Sequence, residues 1–313
     1  MTSKELLQLF KTAGKRAIQI GNEQNGIIIG LDQEGRLFYT YNGQVVSRVA
    51  IASIQGISDR SGYKNPGGDG IWPAPEGTCF GYEYPTGDWE VPIGLINARF
   101  IVLERQENHA VIEAEIPLIN AQQLGLTTLF RRDIQLNTSG NKMIVRIEES
   151  IEYTGKRTLT SKEFLLAPWS LCQFDWVDGD LFSFPGNHDT KIRDLYTASN
   201  AYQKFSNGSY TYAPTEDKRY QIALGEDIEA IHLLLKSKNV KITRTLDTAN
   251  MPGGFIDIAD SPTDEKPLSE GIKFSFYSDP SHFVEIEAAG YGIDTLRQGD
   301  ILKATTTTIF EQA

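Results

Sequence analysis

Leu129-Phe130-Arg131-Arg132-Asp133-Ile134-Gln135-Leu136 and Lys142-Met143-Ile144-Val145-Arg146-Ile147-Glu148-Glu149-Ser150-Ile151-Glu152-Tyr153 stand on either side of a polar stretch, Asn137 to Asn141. In the second run Met143, Val145 and Ile147 recur at every other position, the period of a half-buried strand. Two such runs around a polar turn read as an antiparallel hairpin.

The same pattern repeats in both directions along the chain. Leu37 to Tyr41 and Gln44 to Val49 flank Asn42-Gly43, a strong hairpin signal. Phe100 to Arg105 and Ala110 to Ile116 form another pair. Further strands are expected at Gly26–Leu31, Phe164–Ala167, Tyr220–Leu224, Ala230–Leu235, Val240–Leu246, Ile272–Phe276, His282–Ala288 and Leu302–Phe310. The one clear helix lies within residues 1–15. Thr2 and Glu5 make a capping-box pattern, Leu6, Leu7, Phe10 and Ala13 follow near helical spacing, and Gly14 and Gly21 punctuate the end. Many strands with few helices between them predict an all-β protein, and there are too many for one small sandwich. A large antiparallel sandwich of two sheets, in a single domain spanning 1–313, is expected. No fixed-period repeat or low-complexity linker interrupts it.

Composition narrows the function. The net charge is −11 over 313 residues, which repels a phosphate backbone. The basic pairs Arg131-Arg132 and Lys218-Arg219 are isolated, so neither nucleic acid nor an anionic membrane is an expected partner. No run approaches the ~18 apolar residues of a membrane span. No long apolar segment follows Met1-Thr2-Ser3, and the chain as written reads as cytoplasmic. The two cysteines, Cys79 and Cys172, read as reduced thiols. Asp175, Asp178, Asp180 and Asp189 match no calcium-loop spacing. Neither metal nor cofactor is expected, and no Gly-x-Ser-x-Gly elbow is present.

Three segments carry the candidate site. The first is Asn65-Pro66-Gly67-Gly68-Asp69-Gly70-Ile71-Trp72-Pro73-Ala74-Pro75-Glu76, followed by Tyr82, Tyr84, Asp88 and Trp89. Its glycines, prolines and aromatics read as a long ordered loop, not a strand. Indole faces stack on the apolar faces of sugar rings, and carboxylates accept hydroxyl hydrogen bonds. The second is Ala167-Pro168-Trp169-Ser170-Leu171-Cys172-Gln173-Phe174-Asp175-Trp176, where Gln173 and Asp175 alternate with apolar neighbours. The third is His282-Phe283-Val284-Glu285-Ile286-Glu287-Ala288. On a strand, Glu285 and Glu287 share one face. A solvated strand face would show the same pattern.

The Gly67–Glu76 segment, Ala167-Pro168-Trp169, and Leu296-Arg297-Gln298-Gly299-Asp300 before the last strand resemble the galactose-mutarotase-like, or aldose 1-epimerase-like, superfamily. The likeness is to a branch with a GGxxxWPAPE-type loop. It implies a β-supersandwich with a short N-terminal helix and a small carbohydrate ligand. It also implies a chemistry in which a Glu takes the anomeric hydroxyl proton while a His protonates the ring oxygen. By position Glu287 resembles that base. No His matches the acid, and His188 in Pro185-Gly186-Asn187-His188-Asp189 is the one loop candidate near the aromatic segment. Asp69-Gly70 stands where the branch pattern has a His-Arg pair. The expected substrate contacts are Trp72, Glu76, Asp88, Trp89, Trp169, Gln173, Asp175 and Glu285. Two other readings fit: a non-catalytic carbohydrate-binding module, and a domain related to polysaccharide lyases or hydrolases.

Overall fold

The computed structural model describes residues 1–59, 62–83, 90–249 and 251–313. Its core lies between two ten-stranded antiparallel sheets. The first runs in the order Ala17–Gly21, Gly26–Gly30, Arg36–Tyr41, Asp69–Ala74, Ala167–Asp175, Phe283–Ala289, Phe274–Asp279, Tyr220–Leu224 and Ile192–Asp194, with Gln44–Val45 attached to Arg36–Tyr41. The second is built around Gly125–Ser139, Lys142–Tyr153, Ile301–Gln312 and Val240–Asp247. The long hairpin read from the sequence is present, in register from Thr128↔Tyr153 to Ser139↔Lys142. Among the described residues no helix is long and apolar enough to cross a membrane.

The N-terminal helix is Ser3–Thr12. Its capping box is formed: the Thr2 hydroxyl accepts from the Glu5 amide at 3.3 Å, and the Glu5 carboxylate accepts from the Thr2 amide at 2.7 Å. The helix lays Leu6 and Phe10 on Ile28 and Phe38, on the face of the first sheet turned away from the main core. It covers only one end of that face, and the other end is left for a cavity.

Two sequence expectations change. Residues 69–74, read as loop, form a central strand, Asp69–Ala74. Composition misled because the strand is buried on both faces and shows no polar alternation. Pro73 is tolerated because the flank of this strand toward Arg36–Tyr41 is paired only at Leu37↔Asp69. The Pro73 carbonyl on that flank instead accepts the Tyr82 hydroxyl at 2.8 Å, so the missing N–H forfeits no ladder bond. The expected strand Phe164–Ala167 in fact starts at Ala167 and runs on to Asp175, taking in the Trp169–Gln173 segment.

Asp69 explains how the two sheets are joined. Its side chain points into the core and accepts from Tyr39 at 2.7 Å, Arg132 at 2.5 Å and Arg244 at 3.2 Å. Arg132 also meets Glu149 at 2.6 Å, and Arg244 donates to the Ser170 hydroxyl. All four charged side chains are fully buried. Arg132, Glu149 and Arg244 belong to the second sheet, Asp69 and Ser170 to the first. Asp69 therefore leaves water only because both arginines arrive from the facing sheet, while Glu149 is met by Arg132 from the neighbouring strand of its own sheet. The branch-pattern departure at Asp69 thus places a charge in the inter-sheet core.

Candidate functional site

Strand parity builds the site. Along Phe283–Ala289, Val284, Ile286 and Ala288 enter the core between the sheets, so Phe283, Glu285 and Glu287 face the opposite side. The ladder places Gln173 opposite Glu285 and Leu171 opposite Glu287 on one flank, and Tyr277 and Ser275 opposite them on the other. Trp72 and Trp169 are themselves ladder partners. Their rings meet edge to face, 6.4 Å apart at 83°, and form an aromatic corner.

Over this face lies a cavity of about 280 Å³. The corner of Trp72 and Trp169 lines one side, with Tyr63 edge-on to Trp72 at 5.8 Å. Tyr196 and Tyr277 line the other, and the Arg219 guanidinium sits 3.8 Å over the Tyr196 ring. Glu76 is also in the lining. At the floor, Glu287 is 1% exposed and Glu285 8%.

The polar groups of the floor form one network. Glu287 accepts from the Trp169 indole at 3.1 Å and from the Gln221 amide at 2.9 Å. Gln221 also meets the Ser275 hydroxyl at 2.7 Å. Gln173 donates to Glu285 at 2.5 Å. Burial, and then the neighbouring Glu285, push the Glu287 carboxyl well above the ordinary carboxylate range. Burial also raises Glu285. Burial keeps the Tyr63, Tyr196 and Tyr277 phenols protonated far above neutral pH.

A second layer holds the aromatic wall. Oε2 of Glu34 accepts from Trp72 Nε1 at 3.3 Å, Tyr63 at 3.1 Å and Arg36 at 3.0 Å. Arg36 passes over Gly70, where an added Cβ would lie 2.7 Å from the guanidinium carbon. Gly70 thus leaves room for a guanidinium on the cavity side of the strand whose preceding residue carries the core carboxylate.

Of the residues named from sequence, Trp72, Glu76, Trp169, Glu285 and Glu287 line the cavity. Gln173 reaches it through Glu285. Asp175 ends its strand, half exposed, and pairs with Arg48 at 3.1 Å. His188 is not in the lining; it packs edge-on against Phe205, ring centroids 4.7 Å apart. Asp88 and Trp89 lie outside the described residues. Asn65, which opens the first candidate segment, also lines the cavity, and so do Tyr63, Tyr196, Arg219, Gln221 and Tyr277, which sequence reading missed. Gln221 carried a signal, as the polar residue among Tyr220, Ile222 and Leu224 in a short strand. Arg219 belongs to the isolated basic pair Lys218-Arg219, and its sequence neighbourhood gives no sign of a cavity. Among the described residues no group of three His, Cys, Asp or Glu side chains is placed to hold a metal ion.

No family model and no curated protein sequence matches this chain. Solved structures do. A galactose mutarotase-like protein from Lactobacillus casei superposes with a TM-score of 0.57, covering 95% of this chain and 100% of that one at 12% identity. The fold is galactose-mutarotase-like. A galactose mutarotase-like protein from Clostridium acetobutylicum gives a TM-score of 0.56, with 95% of each chain covered at 11% identity. An Escherichia coli protein provisionally named aldose 1-epimerase gives 0.55, covering 96% of this chain and 100% of that one at 9% identity. The galactose-mutarotase-like likeness is thus one of fold over nearly the whole chain, while the chemistry rests on the site itself.

Proposed function

We propose that the cavity binds a small carbohydrate and that the protein exchanges the anomers of a free sugar, with Glu287 as the general base on the anomeric hydroxyl. One observation carries this reading. A carboxyl group that is 1% exposed and held by an indole and an amide stands at the floor of an aromatic cavity. The indole corner offers apolar faces to the C–H faces of a sugar ring. Arg219 and Asn65 offer donors to its hydroxyls. Burial raises the carboxyl above the ordinary carboxylate range, and a carboxylate so raised is the stronger base.

Two-dimensional exchange NMR on free aldoses and sugar phosphates tests the proposal. Faster α/β interconversion of at least one sugar, lost in Glu287→Gln, is the expected result. Interconversion equally fast with Glu287→Gln would remove the role.

A specific observation favours a second reading, a carbohydrate-binding protein without catalysis: no histidine is among the described residues that line the cavity. It predicts line broadening of a sugar without exchange. A hydrolase built on Glu285 and Glu287 is disfavoured. Glycosidase carboxyl groups flank a bond at separations of about 5 Å or more, whereas these two are in hydrogen-bonding contact. The free thiols Cys79 and Cys172 support placing the protein in the cytoplasm.

A further inference from the structure

Ring opening needs two proton transfers, and the proposed base accounts for one. We infer that Glu285 is the second proton-transfer group, paired with Glu287 as a carboxylic acid–carboxylate dyad that holds one proton and serves both oxygens of the anomeric carbon. The inference rests on the anomer-exchange reading and supplies the acid that the histidines do not.

The geometry is that of a pair. The two residues are two positions apart on one strand, on one face, and both line the cavity. Their carboxyl groups are in hydrogen-bonding contact. The protein donors on them are neutral: the Trp169 indole and the Gln221 and Gln173 amides. Two buried carboxylates in contact, with only neutral donors on them, cannot both stay ionised. They hold one proton in common, which belongs to the pair and not to either residue. Arg36, from Arg36–Tyr41, acts on Glu285 at longer range, and Asp279, from Phe274–Asp279, opposes it. Tyr277 from the same strand and Arg219 face the same cavity, and the Tyr277 phenol already donates to Asp279 at 2.6 Å.

The chemistry balances without any other reactant. In the form of the pair that carries the shared proton on Glu285, the Glu287 carboxylate takes the proton of the anomeric hydroxyl as the Glu285 acid delivers its proton to the ring oxygen. The bond between C1 and the ring oxygen breaks, its electron pair goes to that oxygen, and the C1 carbonyl forms. The dyad still holds one proton, now on Glu287. After rotation about C1–C2, the Glu285 carboxylate takes the proton of the attacking hydroxyl, and Glu287 returns its proton to the carbonyl oxygen. Ring closure therefore restores the starting pair. The two oxygens are bonded to one carbon, so two carboxyl groups in contact can reach both without a residue on the far side of the sugar.

The experiment has two readouts on the wild-type protein, Glu285→Gln and Glu285→Asp. The first is a ¹³C NMR titration of protein labelled at the glutamate carboxyl carbon, which needs no sugar. The second is anomer exchange on the aldose panel across pH. The dyad predicts one carboxyl that stays protonated well above ordinary glutamates and falls toward them in Glu285→Gln. It also predicts an exchange rate roughly 100-fold or more lower in Glu285→Gln, a bell-shaped wild-type pH profile reduced to one limb, and partial recovery of both signals in Glu285→Asp. A merely structural role would move neither the titration nor the shape of the profile. If no carboxyl shows a raised pKa that depends on Glu285, the inference fails even where exchange is catalysed. Wild-type exchange in Glu285→Gln overturns it and leaves Glu287 standing as base. A shared proton with no wild-type exchange on any aldose overturns the anomer-exchange reading, and the catalytic role of Glu285 with it.

Discussion

The indole N–H of Trp169 reaches diagonally across the strand ladder to Oε2 of Glu287, at 3.1 Å. The aromatic wall and the proposed base are thus one mechanical unit, and a substitution at Trp169 separates what it does for the sugar from what it does for the carboxylate. Trp169→Phe keeps an aromatic face and removes the donor. A hydrogen bond to a charged group is worth about 1.5–3 kcal/mol. Trp169→Phe should therefore slow exchange by roughly 10- to 100-fold with little loss of sugar affinity, while Trp169→Ala loses both. Rates from exchange NMR and affinities from line broadening separate the two. Exchange as fast in Trp169→Phe as in the wild type would remove the donor role.

Glu34 should act at a distance from the ligand. It is not in the cavity lining, yet its Oε2 ties Trp72, Tyr63 and Arg36 together. Glu34→Ala removes the acceptor that these three donors share, at a cost of about 1–3 kcal/mol. The aromatic corner should loosen, seen as faster acrylamide quenching of tryptophan fluorescence, and sugar affinity should fall roughly tenfold. Unchanged quenching would show that packing alone holds Trp72.

The carboxylate between the sheets should matter more than its neighbour. Asp69 meets both buried arginines and Tyr39, whereas Arg132 keeps Asp69 when Glu149 is removed. Removing one partner of a buried pair costs about 3–5 kcal/mol. Asp69→Asn should lose that much in urea unfolding, and Glu149→Gln clearly less. The paired arginines hold Asp69 below the ordinary carboxylate range, although burial opposes them. Its contribution is therefore present above the unfolded-state value and is lost as pH falls through the lower folded-state value. The stability gap between wild type and Asp69→Asn should close in strong acid.

How much of this could be read beforehand depended on strand parity. The glutamate strand was legible because Glu285 and Glu287 alternate with Val284 and Ile286 in so short a run. The core charges left the same kind of trace: Arg132 is in phase with Phe130 and Ile134, Glu149 with Ile147 and Ile151, and Arg244 with Ile242 and Leu246. A charge in phase with core residues predicts a buried partner, but nothing local says which residue that is. Asp69–Ala74 was misread because glycine and proline mark loops unless the neighbouring strand is known. Tyr63 and Tyr196 were invisible for another reason: loops bring them to the cavity over distances in sequence that no short pattern spans.

We propose that the chain unfolds as one unit. A single apolar cluster runs from Ile20 to Phe310 and takes in both sheets. Urea unfolding followed by tryptophan fluorescence and by far-UV circular dichroism should give coincident transitions. Separated midpoints would divide the chain into two domains.

The proposed base should cost the fold stability at neutral pH. Glu287 holds its proton to a higher pH in the folded protein than in the unfolded chain, because burial and Glu285 disfavour its charge. Between those two values the native state binds more protons. Raising the pH through that window therefore lowers the unfolding free energy, by up to about 1.4 kcal/mol per pH unit. Glu287→Gln has nothing to titrate there and keeps the shape and an acceptor for Trp169 and Gln221. Its urea midpoint should exceed that of the wild type at pH 8, and the difference should shrink as the pH falls toward 4.5, where both forms of the wild-type residue are protonated. The comparison uses no sugar and no rate. A difference that does not change between pH 4.5 and pH 8 would mean that Glu287 is as readily ionised in the cavity as in the unfolded chain, leaving no folded-state proton for it to share with Glu285.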